Sequence, residues 1–378
     1  MKLRLTFIVT SLGLGGAEKM LLQLLRSLNR NDYDRHVITL QSEGVLEKNV
    51  NRMGISLMSA HMNNREINIR GFFRLLRFLR TTHPHLVVCW MYHANLLGGL
   101  VARMLGVPVV WSIRHDRLDP TLLKPRTIQI ARLGAWLSKF IPRTIVFCAE
   151  SSKQEHIRIG YDAKKSVVIP NGVDTNTFIP NMDARQLIRK ELGIPYDALV
   201  IGHVGRFDPT KDHRTFISAS KKLSSQEKVC FVLCGKDVDW ENKILVDWID
   251  QAGIKERTFL LGQRKDMPNI YATLDLFISS SVSESFPNVV GEAMSCGVPC
   301  AVTDVGDSSR IVGETGLVVP PGDPKALAEA AEIFLSNKDL RTNWGGKARS
   351  RIMENYSLHQ FVKKYEELFT KLLLEKHR

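Results

Sequence analysis

No run in this chain is apolar enough, for long enough, to cross a bilayer. The longest stretch without Asp, Glu, Lys or Arg is Thr81–Ala102, and His83, Pro84, His85, His93, Asn95 and the Gly98-Gly99 pair interrupt it. A spanning helix needs about 20 near-continuous apolar residues. Cysteine is scarce, with six in 378 residues. Cys-x3-Cys occurs twice, at Cys230/Cys234 and Cys296/Cys300, but zinc sites use Cys-x2-Cys and no flanking His completes a set. No metal site is expected, and reduced, buried thiols fit a cytosolic chain. The basic, apolar start Met1–Thr10 is too short for a secretory leader and runs into glycines without a cleavage site, so it reads as a first strand. Acidic residues are short in one half only. Residues 1–180 hold 25 Lys and Arg against 12 Asp and Glu, whereas residues 181–378 hold 27 of each. An excess of positive charge confined to one half implies an anionic partner for that half, either a nucleic acid or an anionic membrane.

What is present is a rhythm. Short apolar runs at Arg4–Thr10, His36–Leu40, Leu86–Trp90, Val107–Ile113, Thr144–Ala149 and Ser166–Ile169 alternate with helical stretches such as Ala17–Leu28, Ile69–Arg80 and Asn95–Leu105. The second half repeats it with Leu199–Val204, Val229–Cys234, Thr258–Leu260, Leu274–Ser279, Val298–Thr303 and Gly316–Val318. Alternation of this kind predicts α/β architecture, one doubly wound parallel sheet per half, and a 44% hydrophobic composition suffices for two cores. The turn-rich Pro170–Asp174 with Pro180 beyond it puts the boundary between Pro170 and Glu191. The expected domains are 1–175 and 176–356, facing across a cleft, with an amphipathic helix at about 357–378 packing back on the first. Ligands then belong at the carboxyl ends of both sets of strands.

Two such strand ends carry chemistry in the second half. Leu199–Val204 runs into Gly205-Arg206-Phe207-Asp208-Pro209-Thr210-Lys211, whose Arg fork and Lys point charge can converge on a polyanion. Leu274–Ser279 leads through a serine-rich loop into Glu284-Ser285-Phe286-Pro287-Asn288-Val289-Val290-Gly291-Glu292. Pro287 suits a first helical position, and a helix starting there offers free N–H groups and a positive dipole end to an anion. Glu284 precedes that anion seat and Glu292 follows it along the helix. Two acceptors flanking one phosphate seat match a nucleotide sugar, which has a hexose and a ribose at the ends of a diphosphate. In the first half, Ser11-Leu12-Gly13-Leu14-Gly15-Gly16-Ala17-Glu18 brings glycines to a strand-to-helix turn, where backbone can approach a phosphate. It lacks both Gly-x-Gly-x-x-Gly and Gly-Lys-Ser/Thr, so neither a dinucleotide cofactor nor ATP hydrolysis is favoured.

Taken together, Glu284-Ser-Phe-Pro-Asn-x3-Glu292, Gly-Arg206-x4-Lys211-Asp and Gly-Leu-Gly-Gly-Ala-Glu resemble the motifs of the family 4 retaining glycosyltransferases of GT-B fold. Pro170-Asn-Gly-Val-Asp, Leu261-Gly-Gln-Arg-x-Asp-Met-Pro and Gly316-Leu-Val-Val-Pro-Pro-Gly-Asp extend the resemblance over essentially the whole chain. The resemblance implies a nucleotide diphosphate sugar as co-substrate, UDP being the first choice among UDP, GDP and ADP, with no other cofactor and no metal. It implies that Glu292 binds the ribose hydroxyls, Glu284 the sugar, and Arg206 and Lys211 the diphosphate, with Gly15 and Gly16 approaching from the other domain. Phe286, Pro287 and Asn288 would form the loop and helix start beneath phosphates and sugar. His115, in Trp111-Ser-Ile-Arg-His115, matches the family's histidine near the reaction centre, with His93 as the competing candidate. His115, Glu284, Arg206 and Lys211 are thus the expected catalytic residues. Two departures stand out. Val305-Gly306-Asp307-Ser308-Ser309-Arg310 replaces a common Gly-Gly and Pro-Glu pattern, and Gly291 stands where a bulkier apolar residue is usual.

Ile69–Arg80 places Arg70, Arg74, Arg77 and Arg80 at three-to-four spacing among apolar residues. It reads either as a basic interfacial helix or as a core-packed helix with solvated arginines; Lys124–Arg143 adds further cations. The family's first domain binds the acceptor, so the resemblance implies a lipid-linked glycan acceptor and a cytoplasmic enzyme peripherally bound to the inner face of the membrane. Two alternatives remain at this stage. One is a nucleotide-sugar epimerase, or a transferase to a small soluble acceptor. The other is a basic nucleic-acid-binding protein, although no nucleic acid is the expected partner.

Overall fold

In the computed structural model, residues 2–13, 15–41, 44–62, 69–115, 118–120, 125–224 and 228–374 are described. Leu14 of the glycine turn, Asp116, Lys124 and residues 375–378 lie outside them. The chain divides into two compact units, Met1–Gly172 with His359–Arg378, and Val173–Leu358.

The first unit is a seven-stranded sheet built from β1 (Leu3–Val9), β2 (Tyr33–Thr39), β3 (Ser56–Ser59), β4 (Leu86–Trp90), β5 (Val109–Ile113), β6 (Thr144–Phe147) and β7 (Ser166–Val168). The order is β3-β2-β1-β4-β5-β6-β7, with every pairing parallel. Strands β4, β5 and β6 are buried along their whole length, which explains why they read as unbroken apolar runs. Leu75, Leu76 and Leu79 of the helix Ile69–Thr82 lie in the core beneath the sheet. Of the two sequence readings of that helix, its leucine stripe therefore takes the core-packed one, leaving Ile69 and Phe73 outside with the arginines. The helix Leu358–Leu374 closes the same unit. Tyr365 stacks on Trp90 with centroids 6.2 Å apart, and Phe369 meets Phe7 at 6.5 Å and Tyr33 at 6.4 Å.

The second unit holds β8 (Leu199–Val204), β9 (Val229–Cys234), β10 (Thr258–Leu260), β11 (Leu276–Ser279), β12 (Cys300–Thr303) and β13 (Gly316–Val319) in the order β10-β9-β8-β11-β12-β13, again all parallel. In each sheet the order reverses once, between β1 and β4 and between β8 and β11. Adjacent connections leave such a point in opposite directions, so a crevice opens there at the carboxyl ends of the strands. The glycine turn and His93 follow β1 and β4. The Arg206–Lys211 and Glu284–Asn288 segments follow β8 and β11. All six cysteines are buried and unpaired by disulfide, and among the described residues no helix is long and apolar enough to cross a membrane.

Candidate active site

The loop after β8 is held by its own short side chains. Asp208 accepts from the Thr210 amide at 3.0 Å and from its hydroxyl at 2.6 Å, shaping a 3-10 turn over Pro209–Lys211. Asp212 then sits in the left-handed region, φ 46°, and caps the next helix by accepting from the Thr215 amide at 3.1 Å. Ser280, just past β11, donates from its hydroxyl to the carbonyls of Lys211 and Asp212 at 3.0 and 2.9 Å, tying the two loops together. The result is a direct ion pair between the Lys211 ammonium and the Glu284 carboxylate, 73 residues apart in sequence. Ser281 donates to the same carboxylate oxygen at 2.9 Å. Both charged side chains are mostly buried, 17% and 12% exposed. Arg206 is placed differently: it is 61% exposed and pairs with Asp208 at 3.0 Å.

Beyond Glu284, Phe286 is buried against Tyr356 at 5.8 Å between ring centroids, and Pro287 is buried as the residue just before the helix Asn288–Ser295. The sequence reading put Pro287 at the first helical position. Its ψ of 93° makes it the cap instead, and Asn288 opens the helix. The positive dipole end of the helix stays where the sequence reading put it, with the Val290 amide donating to the Pro287 carbonyl at 3.1 Å. About one turn on, Glu292 accepts from the Tyr271 hydroxyl at 2.9 Å. Burial first, and the Glu292 carboxylate second, push the Tyr271 phenol well up, so it stays protonated as a donor. Gly291 lets this helix approach closely: a Cβ there would stand 2.8 Å from Val173.

In the first unit Gly15 caps the helix Gly16–Ser27, and a Cβ on Gly15 would lie 2.3 Å from a Glu18 carboxylate oxygen. His93 is not in a loop after β4 but in the first turn of the helix Tyr92–Met104, which begins abruptly because Met91 takes φ 74°. His115 follows β5, and its ring lies parallel to that of Tyr92, with centroids 5.1 Å apart at 5°. Burial and the neighbouring His93 hold the His115 imidazole below its usual range. Desolvation and Arg126 do the same to His93. Arg114, the residue before His115, donates to Ser112 Oγ at 2.9 Å, to Asn171 Oδ1 at 2.7 Å and to the Tyr365 hydroxyl, and lies 4.2 Å over the Trp90 ring.

Residues 14–177 match a family model described as Glycosyltransferase Family 4, and residues 184–351 match one described as Glycosyl transferases group 1. The chain belongs to the GT-B glycosyltransferases. Among curated relatives it is 25% identical to the Escherichia coli UDP-Gal:alpha-D-GlcNAc-diphosphoundecaprenol alpha-1,3-galactosyltransferase, over 96% of this chain and 95% of that one. It is 24% identical to the Staphylococcus aureus capsular polysaccharide biosynthesis glycosyltransferase CapM, over 82% of each. In fold it matches Anabaena HepE, solved with UDP and glucose, with a TM-score of 0.84 at 22% identity, covering 98% of this chain and 100% of that one.

Sequence reasoning left parts of this glycosyltransferase's site unnamed. Ser281 and Tyr271, hydroxyl donors to the two glutamates, were missed. A serine three residues before Glu284 was a visible signal, whereas nothing local marks Tyr271, 21 positions from Glu292. The departure at Val305–Arg310 also acquires a reason. Gly306 takes φ 58°, and a Cβ there would stand 2.1 Å from the Glu284 carbonyl oxygen, while the Asp307 amide donates to the Ser285 carbonyl at 3.0 Å. This segment is the shelf on which the Glu284 loop rests. Gly306→Ala should lower the melting temperature through the left-handed penalty of about 1–2 kcal/mol plus steric overlap, and should reduce turnover in the soluble fraction. An unchanged melting curve and turnover would show that the loop does not depend on the shelf.

Proposed function

We propose that this glycosyltransferase moves a sugar, with retention and without a metal, from a UDP-sugar to a lipid-linked glycan at the cytoplasmic face of the membrane. The reading is carried by one observation, the Lys211–Glu284 pair lodged at the strand-order reversal of the second sheet beside the helix start at Asn288. Breaking the bond from anomeric carbon to phosphate builds positive charge on the sugar and negative charge on the leaving diphosphate. A cation and the positive end of a helix dipole aimed at that oxygen stabilise the developing charge without reorganisation. In this reading Lys211 and Arg206 neutralise the diphosphate, Glu284 accepts from sugar hydroxyls and Glu292 from the ribose. Phe286, Pro287 and Asn288 form the floor, and Gly15 and Gly16 are assigned to phosphate binding. His115 contacts the sugar near the reaction centre. The acceptor attacks on the leaving-group face, and the departing phosphate takes its proton, so no enzyme nucleophile is needed. That arrangement differs from retaining glycosidases, in which two carboxylates about 5 Å apart divide the work.

A UDP-sugar donor is supported by the complexes of Anabaena HepE with UDP, glucose and UDP-glucose, and a lipid-linked acceptor by the name of the Escherichia coli relative. Membrane association is supported by the surface of the first unit. Residues 67–149 contain only two acids, Asp116 and Asp119. Leu100, Met104, Leu133, Trp136 and Phe140 are 45% to 61% exposed there, with Arg103, Arg132, Lys139 and Arg143 exposed among them. Exposed aromatics within a cationic surface suit the interface of an anionic bilayer.

The test is a panel of UDP-, GDP- and ADP-sugars, read by thermal stabilisation and by slow release of the nucleoside diphosphate. A UDP-sugar should raise the melting temperature and release UDP with chelator present. Silence across the panel, or release only on adding a divalent cation, would overturn the reading.

A further inference from the structure

His156 has no part in the donor site, yet it is wholly buried, and burial holds its imidazole down to about 4. Its Nδ1 lies 2.7 Å from the carbonyl oxygen of Ser152, one turn earlier on the helix Glu150–Arg158. A carbonyl only accepts, so Nδ1 carries the proton and Nε2 is left as an acceptor. The Tyr92 hydroxyl, 2.5 Å from Nε2, is therefore the donor. Ser152 in turn donates from Oγ to the backbone carbonyl of His115. The Tyr92 ring, held by that hydroxyl, lies face to face with the His115 imidazole. The contacts form a closed circuit that leaves His115 through its ring and returns through its backbone. Phe147 and Tyr161 pack around His156 at 5.3 and 5.2 Å, shutting water out of the circuit.

We infer that Tyr92, His156 and Ser152 are positioning residues that fix the plane and the backbone of His115 for sugar transfer. The inference rests on the role proposed for His115. A core histidine kept only for packing would need neither a single tautomer nor a hydroxyl donor whose ring covers the next imidazole. Fixing His115 from both ends removes its freedom to turn out of the sugar's path, and displacement of a reacting group by about 1 Å can cost 10²-fold in rate.

The experiment measures UDP release from UDP-galactose and UDP-glucose by full-length wild type, Tyr92→Phe, His156→Asn, Ser152→Ala, the Tyr92→Phe/His156→Asn double variant and His115→Ala. Tyr92→Phe keeps the stacked ring and removes only the hydroxyl. It should lower kcat about tenfold while KM for the donor and UDP affinity stay within about twofold. The double variant should be no slower than the slower single, because both break one circuit. A kcat equal to wild type in Tyr92→Phe and Ser152→Ala, with only the melting temperature lowered, would assign the circuit to stability and overturn the inference. Multiplying losses in the double variant would do the same. If His156→Asn fails to fold, Tyr92→Phe and Ser152→Ala decide alone. Unimpaired release by His115→Ala would instead sink the role of His115 itself, whereas a loss there with normal kcat in the other variants defeats only the circuit.

Discussion

Replacing Lys211 with alanine should reduce turnover about 10²- to 10³-fold, the usual effect of deleting one preorganised group that stabilises transition-state charge. The ammonium is mostly buried, and its position is fixed from three sides: the 3-10 turn, the Ser280 bonds to its own and the next carbonyl, and the Glu284 carboxylate. Arg206 cannot take its place, being exposed and engaged with Asp208. Loss of the cation also strands Glu284 with Ser281 as the remaining donor recorded on that oxygen, and an uncompensated buried charge costs several kcal/mol. The melting temperature should therefore fall too, and activity must be compared at a temperature where the variant is folded. Lys211→Ala/Glu284→Gln relieves the stranded charge, so it should recover melting temperature but not turnover. Turnover within about threefold of wild type in Lys211→Ala would remove Lys211 from the leaving-group role.

Glu292→Ala should act on the other end of the donor, weakening UDP binding by about 10- to 100-fold, as expected for about 1.5–3 kcal/mol from hydrogen bonds to a charged acceptor. The carboxylate is oriented by the Tyr271 hydroxyl at 2.9 Å, so it has little side-chain freedom left to lose on meeting a ribose. Tyr271→Phe should show a weaker version of the same loss. Glu284→Ala should lower kcat much more than it lowers UDP affinity, because the hydroxyls assigned to it belong to the sugar. Isothermal titration with UDP separates the two glutamates: equal affinity in wild type and Glu292→Ala would end the ribose assignment.

Much of this arrangement was legible in the sequence, for identifiable reasons. Strands covered on both faces, such as Leu86–Trp90 and Val229–Cys234, must be apolar throughout, and their runs are hard to mistake. Ser56–Ser59 escaped notice because it is a short, half-buried edge strand without β-branched or aromatic residues. The helix at Tyr92 was started three residues late because its beginning depends on the positive φ of Met91 and carries no capping side chain. Glu284, Glu292, Arg206 and Lys211 stand out in the sequence because they lie at fixed local spacing just past two strand ends. Their partners do not. The Lys211–Glu284 pair, the Tyr271 bond to Glu292 and the His156 bond to Tyr92 join residues brought together only by sheet order.

The Arg114 clamp has a consequence in time as well as space. Its partners Asn171 and Tyr365 belong to the same unit, yet the whole second unit is encoded between them. During synthesis the first unit waits, with Trp90, Phe7 and Tyr33 still uncovered, until the helix Leu358–Leu374 emerges. The residue beside His115 is thus locked last, and a chain interrupted before that helix carries a first unit that lacks its closing segment.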